Sequence, residues 1–117
     1  MRVLLFLFFP ILLIAQESPQ KSDQYFIALY TVGENWDVEK SPGEQLYFKE
    51  HSSFLSQLRK DKIIVTGARY SDTGMLILKA TDFKTIESML QQDLAIQNKL
   101  FELEIHPYAS FYKGCIE

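Results

Sequence analysis

The chain opens on an apolar run, Met1 to Ala15, broken only by Arg2 and Pro10, and turns abruptly polar over Gln16 to Asp23 (Q-E-S-P-Q-K-S-D). Beyond that point the apolar positions fall into short segments of two periods. Gln24 to Val32 (Q-Y-F-I-A-L-Y-T-V) is dense in aromatic and β-branched residues and predicts a buried first strand, which Gly33 ends. A polar loop with the only tryptophan, Trp36, leads to Ser41-Pro42-Gly43, which sets a helix start near Glu44. From Glu44 to Lys60 the spacing is helical, with Tyr47, His51, Phe54 and Leu58 on one stripe and Leu55 beside it. Lys62 to Tyr70 reads as a second strand, Ser71-Asp72-Thr73-Gly74 as a tight turn, and Met75 to Thr81 as a third strand. Asp82 is placed to cap a second helix running to Gln92, with Ile86, Met89 and Leu90 inward, and Asp93 to Asn98 adds one more turn. Leu100 to Phe111 alternates Phe101, Leu103 and Ile105 against Glu102, Glu104 and His106, the pattern of a last strand.

The order βαββαβ within one short domain predicts an α+β, ferredoxin-like sandwich: an antiparallel four-stranded sheet with two helices on one face. Strand one is apolar on both faces, Phe26, Ala28 and Tyr30 against Ile27 and Leu29. Strand three likewise offers Met75 and Ile77 on one face and Leu76, Leu78 and Ala80 on the other. Helices cover one side only, so the second apolar face calls for another cover. A second copy of the chain, packed sheet to sheet as a homodimer, is the economical one.

The first fifteen residues belong to a different object from the domain. Arg2 forms a short positive region, Val3 to Ile14 an apolar core too short to span a bilayer, and Ala15 offers a small residue for cleavage. This predicts a signal peptide over 1–15, a linker over 16–23 and one domain over 24–117. The mature chain is then secreted or periplasmic, with no stable membrane insertion. An uncleaved N-terminal anchor is the competing reading. At 117 residues the chain has room for one domain and not two. Losing Arg2 makes the formal charge of −3 one unit more negative, and no Lys/Arg cluster is present, so a nucleic-acid partner is disfavoured. One cysteine, Cys115, excludes an intrachain disulfide framework and a multi-cysteine zinc site, and it has no neighbour that would make it a nucleophile.

Two residues break the local pattern. His51 sits in an apolar helical stripe, where burial disfavours a charged ring and demands a partner. Asp93 is in phase with Ile86 and Leu90 at the C-terminal end of the second helix, where a carboxylate opposes the helix dipole. Such breaks concentrate at functional sites, and a carboxylate that fixes an imidazole tautomer makes it a general base. The plain alternatives are a core histidine bonded to a backbone carbonyl and an aspartate that caps the turn at Leu94. Tyr30, Trp36, Tyr47 and Arg69 are candidates to line a pocket, Arg69 as the holder of a substrate anion. His106 reads as a strand-end surface residue. The sequence contains no H-E-x-x-H, G-x-S-x-G, G-x-G-x-x-G or G-x-x-x-x-G-K-[ST].

Taken in order, Y-T-V-G-E-N-W (Tyr30 to Trp36), K-E-H-S-S-F-L-S-Q-L (Lys49 to Leu58), I-V-T-G-A-R-Y-S-D-T-G-M-L-I-L-K-A (Ile64 to Ala80), Asp93 and H-P-Y-A-S-F (His106 to Phe111) resemble the YCII-related family over most of the mature chain. Leu94 stands where that family often has proline after the aspartate, and Gly33-Glu34 where it often has Gly-Pro. The resemblance implies a dimeric α/β-barrel assembly of ferredoxin-like domains. It also implies a site made of the helix-one histidine and the aspartate after helix two, here His51 and Asp93. Three functions follow as expectations. One is an exported small-molecule enzyme, with His51 as general base, Asp93 as its orienting partner and a pocket between helices and sheet, needing no metal or organic cofactor. Another is a non-catalytic module that binds or senses a small ligand on the same fold. The third is a haem-binding dimeric barrel with His51 as axial ligand.

Overall fold

The phenylalanine, alanine and tyrosine on one face of the first strand set the position of everything else. In the computed structural model, which describes residues 22–114, strand β1 (Gln24–Val32) buries Phe26, Ala28 and Tyr30 on one side and leaves Ile27 and Leu29 half-buried on the other. β1 is central. It pairs antiparallel with β3 (Thr73–Ala80) and with β4 (Phe101–Pro107), and β3 pairs in turn with β2 (Ile64–Tyr70). The sheet order is β2-β3-β1-β4. The register aligns Phe26 with Leu78, and Ala28 with both Leu76 and Ile105, so one face carries a continuous apolar surface.

Three helices cover that face: α1 (Phe48–Lys60), α2 (Phe83–Leu90) and α3 (Leu94–Gln97). Leu58 of α1 and Ile86 and Leu90 of α2 join Phe26, Ala28, Tyr30, Leu78 and Ala80 in the core, with Ile96 of α3 packed against it. Fully burying one such leucine or isoleucine is worth about 1.5–3 kcal/mol, and these residues are at most 5% exposed. The protein is thus α+β, with a four-stranded antiparallel sheet and a helical layer, an arrangement compatible with the ferredoxin-like one.

Strand β1 has the bounds the pattern predicts, and Asp82 caps α2 as expected, its carboxylate accepting from the Thr85 amide at 2.8 Å. Elsewhere the boundaries move. Ser41-Pro42 starts a single 3-10 turn, Pro42–Glu44, and the α-helix begins only at Phe48, after Tyr47 in the left-handed region at φ 69°. The hairpin turns at Ser71 and Asp72, with Ser71 at φ 50°, and Gly74 lies inside β3 opposite Tyr30 rather than in the turn. The register of β2 shifts between Ile64 and Thr66, so Ile64 faces the helices while Thr66 and Ala68 share the other face with Ile77 and Met75. The segment after α2 forms α3 with Asp93 as its N-cap, so Asp93 lies beyond the end of α2. The last strand ends at Pro107, short of Phe111. The segment 1–15 predicted as a signal peptide and Cys115 lie outside the described residues, and among these no helix is long and apolar enough to cross a membrane.

The loop between β1 and α1 is held at both ends. The Gly33 amide donates to the Leu100 carbonyl at 2.8 Å, and a Cβ at Gly33 would lie 2.1 Å from the Lys99 carbonyl oxygen. Buried Gln45 fixes the other end. Its Oε1 accepts from the Asp37 amide at 2.9 Å, and its Nε2 donates to the carbonyls of Asp37 and Lys40 at 2.6 and 3.1 Å. Because backbone blocks the Gly33 Cβ, Gly33→Ala has to part the loop from β4. The expected cost is about 1–3 kcal/mol, read as a lower denaturant midpoint at unchanged m-value.

Candidate functional site

His51 lies in the first turn of α1, where its amide donates to the Tyr47 carbonyl at 2.9 Å. That placement turns the ring toward the segment after α2. His51 Nδ1 and Asp93 Oδ2 are 2.5 Å apart. Asp93 is fully buried, and its other oxygen, Oδ1, accepts from the Ala95 amide at 2.9 Å as the cap of α3. Asp93 therefore makes two contacts at once: one oxygen caps α3, as the plain reading expects, and the other meets the imidazole. The expected conflict with the dipole of α2 does not arise, because α2 stops at Leu90.

An ionised carboxylate only accepts hydrogen bonds, so opposite one Nδ1 is the donor and, in the neutral ring, the lone pair lies on Nε2. Among the described residues Nε2 has no hydrogen-bond partner, yet it is not among the fully buried unsatisfied atoms, so it keeps some contact with solvent. The arrangement is that of an oriented base with one open nitrogen.

Aromatic rings surround the imidazole. Phe101 of β4 lies tilted against it at 4.8 Å between centroids, Tyr30 of β1 meets it edge-on at 5.4 Å, and Phe48 sits at 6.4 Å. Trp36 packs on Phe101 at 5.6 Å and so reaches the pair only through that ring. The Tyr30 hydroxyl is fully buried without a hydrogen-bond partner. Burial pushes its ionisation well above the ordinary value of 10.0, and the nearby Asp93 carboxylate adds to the shift.

The structure thus brings together His51, Asp93 and Tyr30, with Trp36 one ring removed. It does not bring Arg69 or the Tyr47 side chain to the pair. Arg69 is exposed on edge strand β2, in register with Gly74, which in turn faces Tyr30, so two strand spacings (about 10 Å) separate Arg69 from Tyr30. Tyr47 contributes its backbone. His106 is exposed and 3.5 Å from Glu104 Oε2, the strand-end residue that the pattern predicts. Phe48, Phe101 and Gln45 are the contributors that sequence reasoning missed. The alternation of β4 marks Phe101 as inward but gives no sign of what it touches, and nothing in the pattern marks Gln45 as buried.

Two grooves on the surface are lined by neither His51 nor Asp93. One, of about 420 Å³, runs along the β4 edge past Thr31, Glu34, Lys99 and Glu104, and Phe101 touches both it and the imidazole. The other, of about 560 Å³, lies on α2 around Asp82, Lys84 and Gln92. Among the described residues no group of three or more His, Cys, Asp or Glu side chains is gathered as a metal site. Comparison with models of known families, with curated proteins and with solved structures returns no match.

The buried phenol of Tyr30 generates a pH prediction. Its folded-state ionisation lies above the unfolded value, so its contribution to stability is intact below about pH 10, where the unfolded phenol ionises, and is lost as the pH rises further. The loss approaches about 1.4 kcal/mol per pH unit for one proton. Tyr30→Phe removes it, and urea titrations between pH 9 and about 11 are expected to show a shallower alkaline decline in the variant.

Proposed function

We propose that the chain is an exported YCII-related protein that acts on a small molecule by proton transfer, with His51 as the base and Asp93 as the group that orients it. The observation that supports this is the buried pair itself. One ring nitrogen is committed to a carboxylate at 2.5 Å, and the other is left unpartnered and in contact with solvent. A carboxylate-held imidazole with its other nitrogen open to solvent is the arrangement a general base requires. In this reading the domain is a ferredoxin-like βαββαβ unit of the dimeric α/β-barrel type, needing no metal or organic cofactor. The family assignment rests on the ordered motifs from Tyr30 to Phe111, and export on the apolar segment before Gln16.

The open face of the sheet supports the dimer. Ile27, Leu29 and Met75 are half-buried and Ile77 is buried there, flanked by Glu102, Glu104 and His106 on β4. An apolar centre with a charged border is what a second sheet would cover. The mature chain is expected to scatter light as a dimer at micromolar concentration, and Leu29→Glu as a folded monomer. A wild-type monomer under those conditions overturns the assembly.

The dyad is tested through its tautomer. Asp93→Asn preserves the cap to Ala95 but presents an amide N–H to Nδ1, so the imidazole proton moves to Nε2 and the base is lost. Nitrogen NMR of the His51 ring is expected to show Nδ1–H in the wild type and Nε2–H in the variant. A small-molecule thermal-shift screen then reads function. The proposal expects hits on the wild type that weaken in both His51→Ala and Asp93→Asn. Hits indifferent to Asp93→Asn point instead to a binding module that needs only shape, and hits indifferent to both substitutions overturn the site.

A further inference from the structure

Strand β4 is one edge of the sheet, and its free side differs from the opposite edge. The amides of Gly33 and Tyr108 donate to the carbonyls of Leu100 and Tyr25 at 2.8 and 3.0 Å, which makes the even-numbered residues of β4 the ones that bond to β1. Phe101, Leu103 and Ile105 therefore turn their backbone N–H and C=O groups outward, where no described residue meets them. Pro107 falls in the same outward set, so its missing N–H costs the ladder nothing. At the opposite edge the register of β2 breaks between Ile64 and Thr66, an irregularity of the kind that blunts an edge. β4 instead keeps one register from Phe101 to Pro107. The groove of about 420 Å³ follows this open edge. On its helix side Ile96, Phe101 and Leu103 are only half-buried, because α3, which packs on β4, is four residues long. On its other side stand Glu102 and Glu104. Lys99 is the one cation in the lining, and Glu34 holds it at 3.2 Å.

We infer that the β4 edge is a peptide-binding site, where an extended segment of alternating apolar and cationic residues adds to the sheet as a further strand. The site is separate from the dyad and does not depend on it. Backbone supplies the affinity, as the outward N–H and C=O groups of Phe101, Leu103 and Ile105 pair with the incoming strand. Alternation supplies the choice of sequence. Side chains on one face of the added strand lie beside Ile96, Phe101 and Leu103, and bury apolar surface that the short α3 leaves open. Side chains on the other face lie beside Glu102 and Glu104, so Lys or Arg there meets opposite charge. Both carboxylates are exposed. Among the described residues Glu102 has no ion-pair partner, and Glu104 meets only His106 at 3.5 Å. The stretch from Phe101 to Ile105 sets the length of the segment at about five residues.

The probe is acetyl-Val-Lys-Val-Lys-Val-Lys-Val-amide, titrated into the isotope-labelled mature chain and followed by proton–nitrogen NMR. It is expected to shift the amide signals of Phe101, Leu103 and Ile105 and to slow their exchange with solvent. Two further peptides carry N-methyl groups, one on every valine and the other on every lysine. Only one of these two sets of amides can face β4, so one peptide is expected to bind as the parent does and the other not at all. Replacing each lysine of the peptide by glutamate is expected to abolish binding. Glu102→Lys with Glu104→Lys is expected to weaken binding of the parent peptide about tenfold at low salt, with the thermal melt unchanged. Equal binding of the two N-methylated peptides overturns strand addition, and binding indifferent to the carboxylate reversal overturns the preference for cations. A Leu103 amide that exchanges slowly without peptide, and more slowly at higher protein concentration, places a second copy of the chain on the edge and overturns the peptide site. The absence of any shift at millimolar peptide overturns it too.

Discussion

A fully buried carboxylate is the constraint on which the rest of this fold depends. Asp93 has no exposure, and a charge withdrawn from water must be met by hydrogen bonds on each oxygen. The Ala95 amide meets one and the His51 imidazole the other. Those two bonds tie the first turn of α1 to the start of α3. Removing one partner of such a pair costs about 3–5 kcal/mol, yet replacing both with apolar groups of similar volume is often neutral. Stability alone therefore does not account for the pair. What an apolar replacement could not reproduce is an imidazole of defined tautomer with an open nitrogen.

The elements around that bond show which parts of the structure a linear pattern carries. β1 could be read residue for residue because its signal is composition, aromatic and β-branched side chains on both faces, and Gly33 closes it. Asp82 could be read because a cap is a contact three residues away. The start of α1 could not, because Ser41-Pro42 is a good signal for any helical turn and here begins a 3-10 turn, while the α-helix waits for Tyr47 to adopt a left-handed conformation that its residue type does not announce. The hairpin was displaced for a similar reason. Gly74 looks like a turn residue, but Ser71 takes the positive φ and leaves the glycine in the ladder against Tyr30.

The site divides along the same line. His51 and Asp93 stood out because each violates the rule of its own surroundings, and a violation is visible in one dimension. Phe101, Phe48 and the Tyr30 hydroxyl violate nothing locally. An aromatic residue on an inward-facing strand position is what the pattern expects, and its function lies only in what it meets from β1, α1 or β4. Gln45 belongs with them. Its three hydrogen bonds organise the loop that carries Trp36, and all of them run to backbone atoms five to eight residues away.

Two groups at the centre have no hydrogen-bond partner among the described residues. A core optimised for stability would have filled the Tyr30 position with phenylalanine. Instead the chain keeps a buried phenol and a carboxylate-held imidazole in one aromatic cluster, with Phe101 against the imidazole. Only the Tyr30 hydroxyl is sealed from water without a partner; the imidazole Nε2 keeps some contact with solvent.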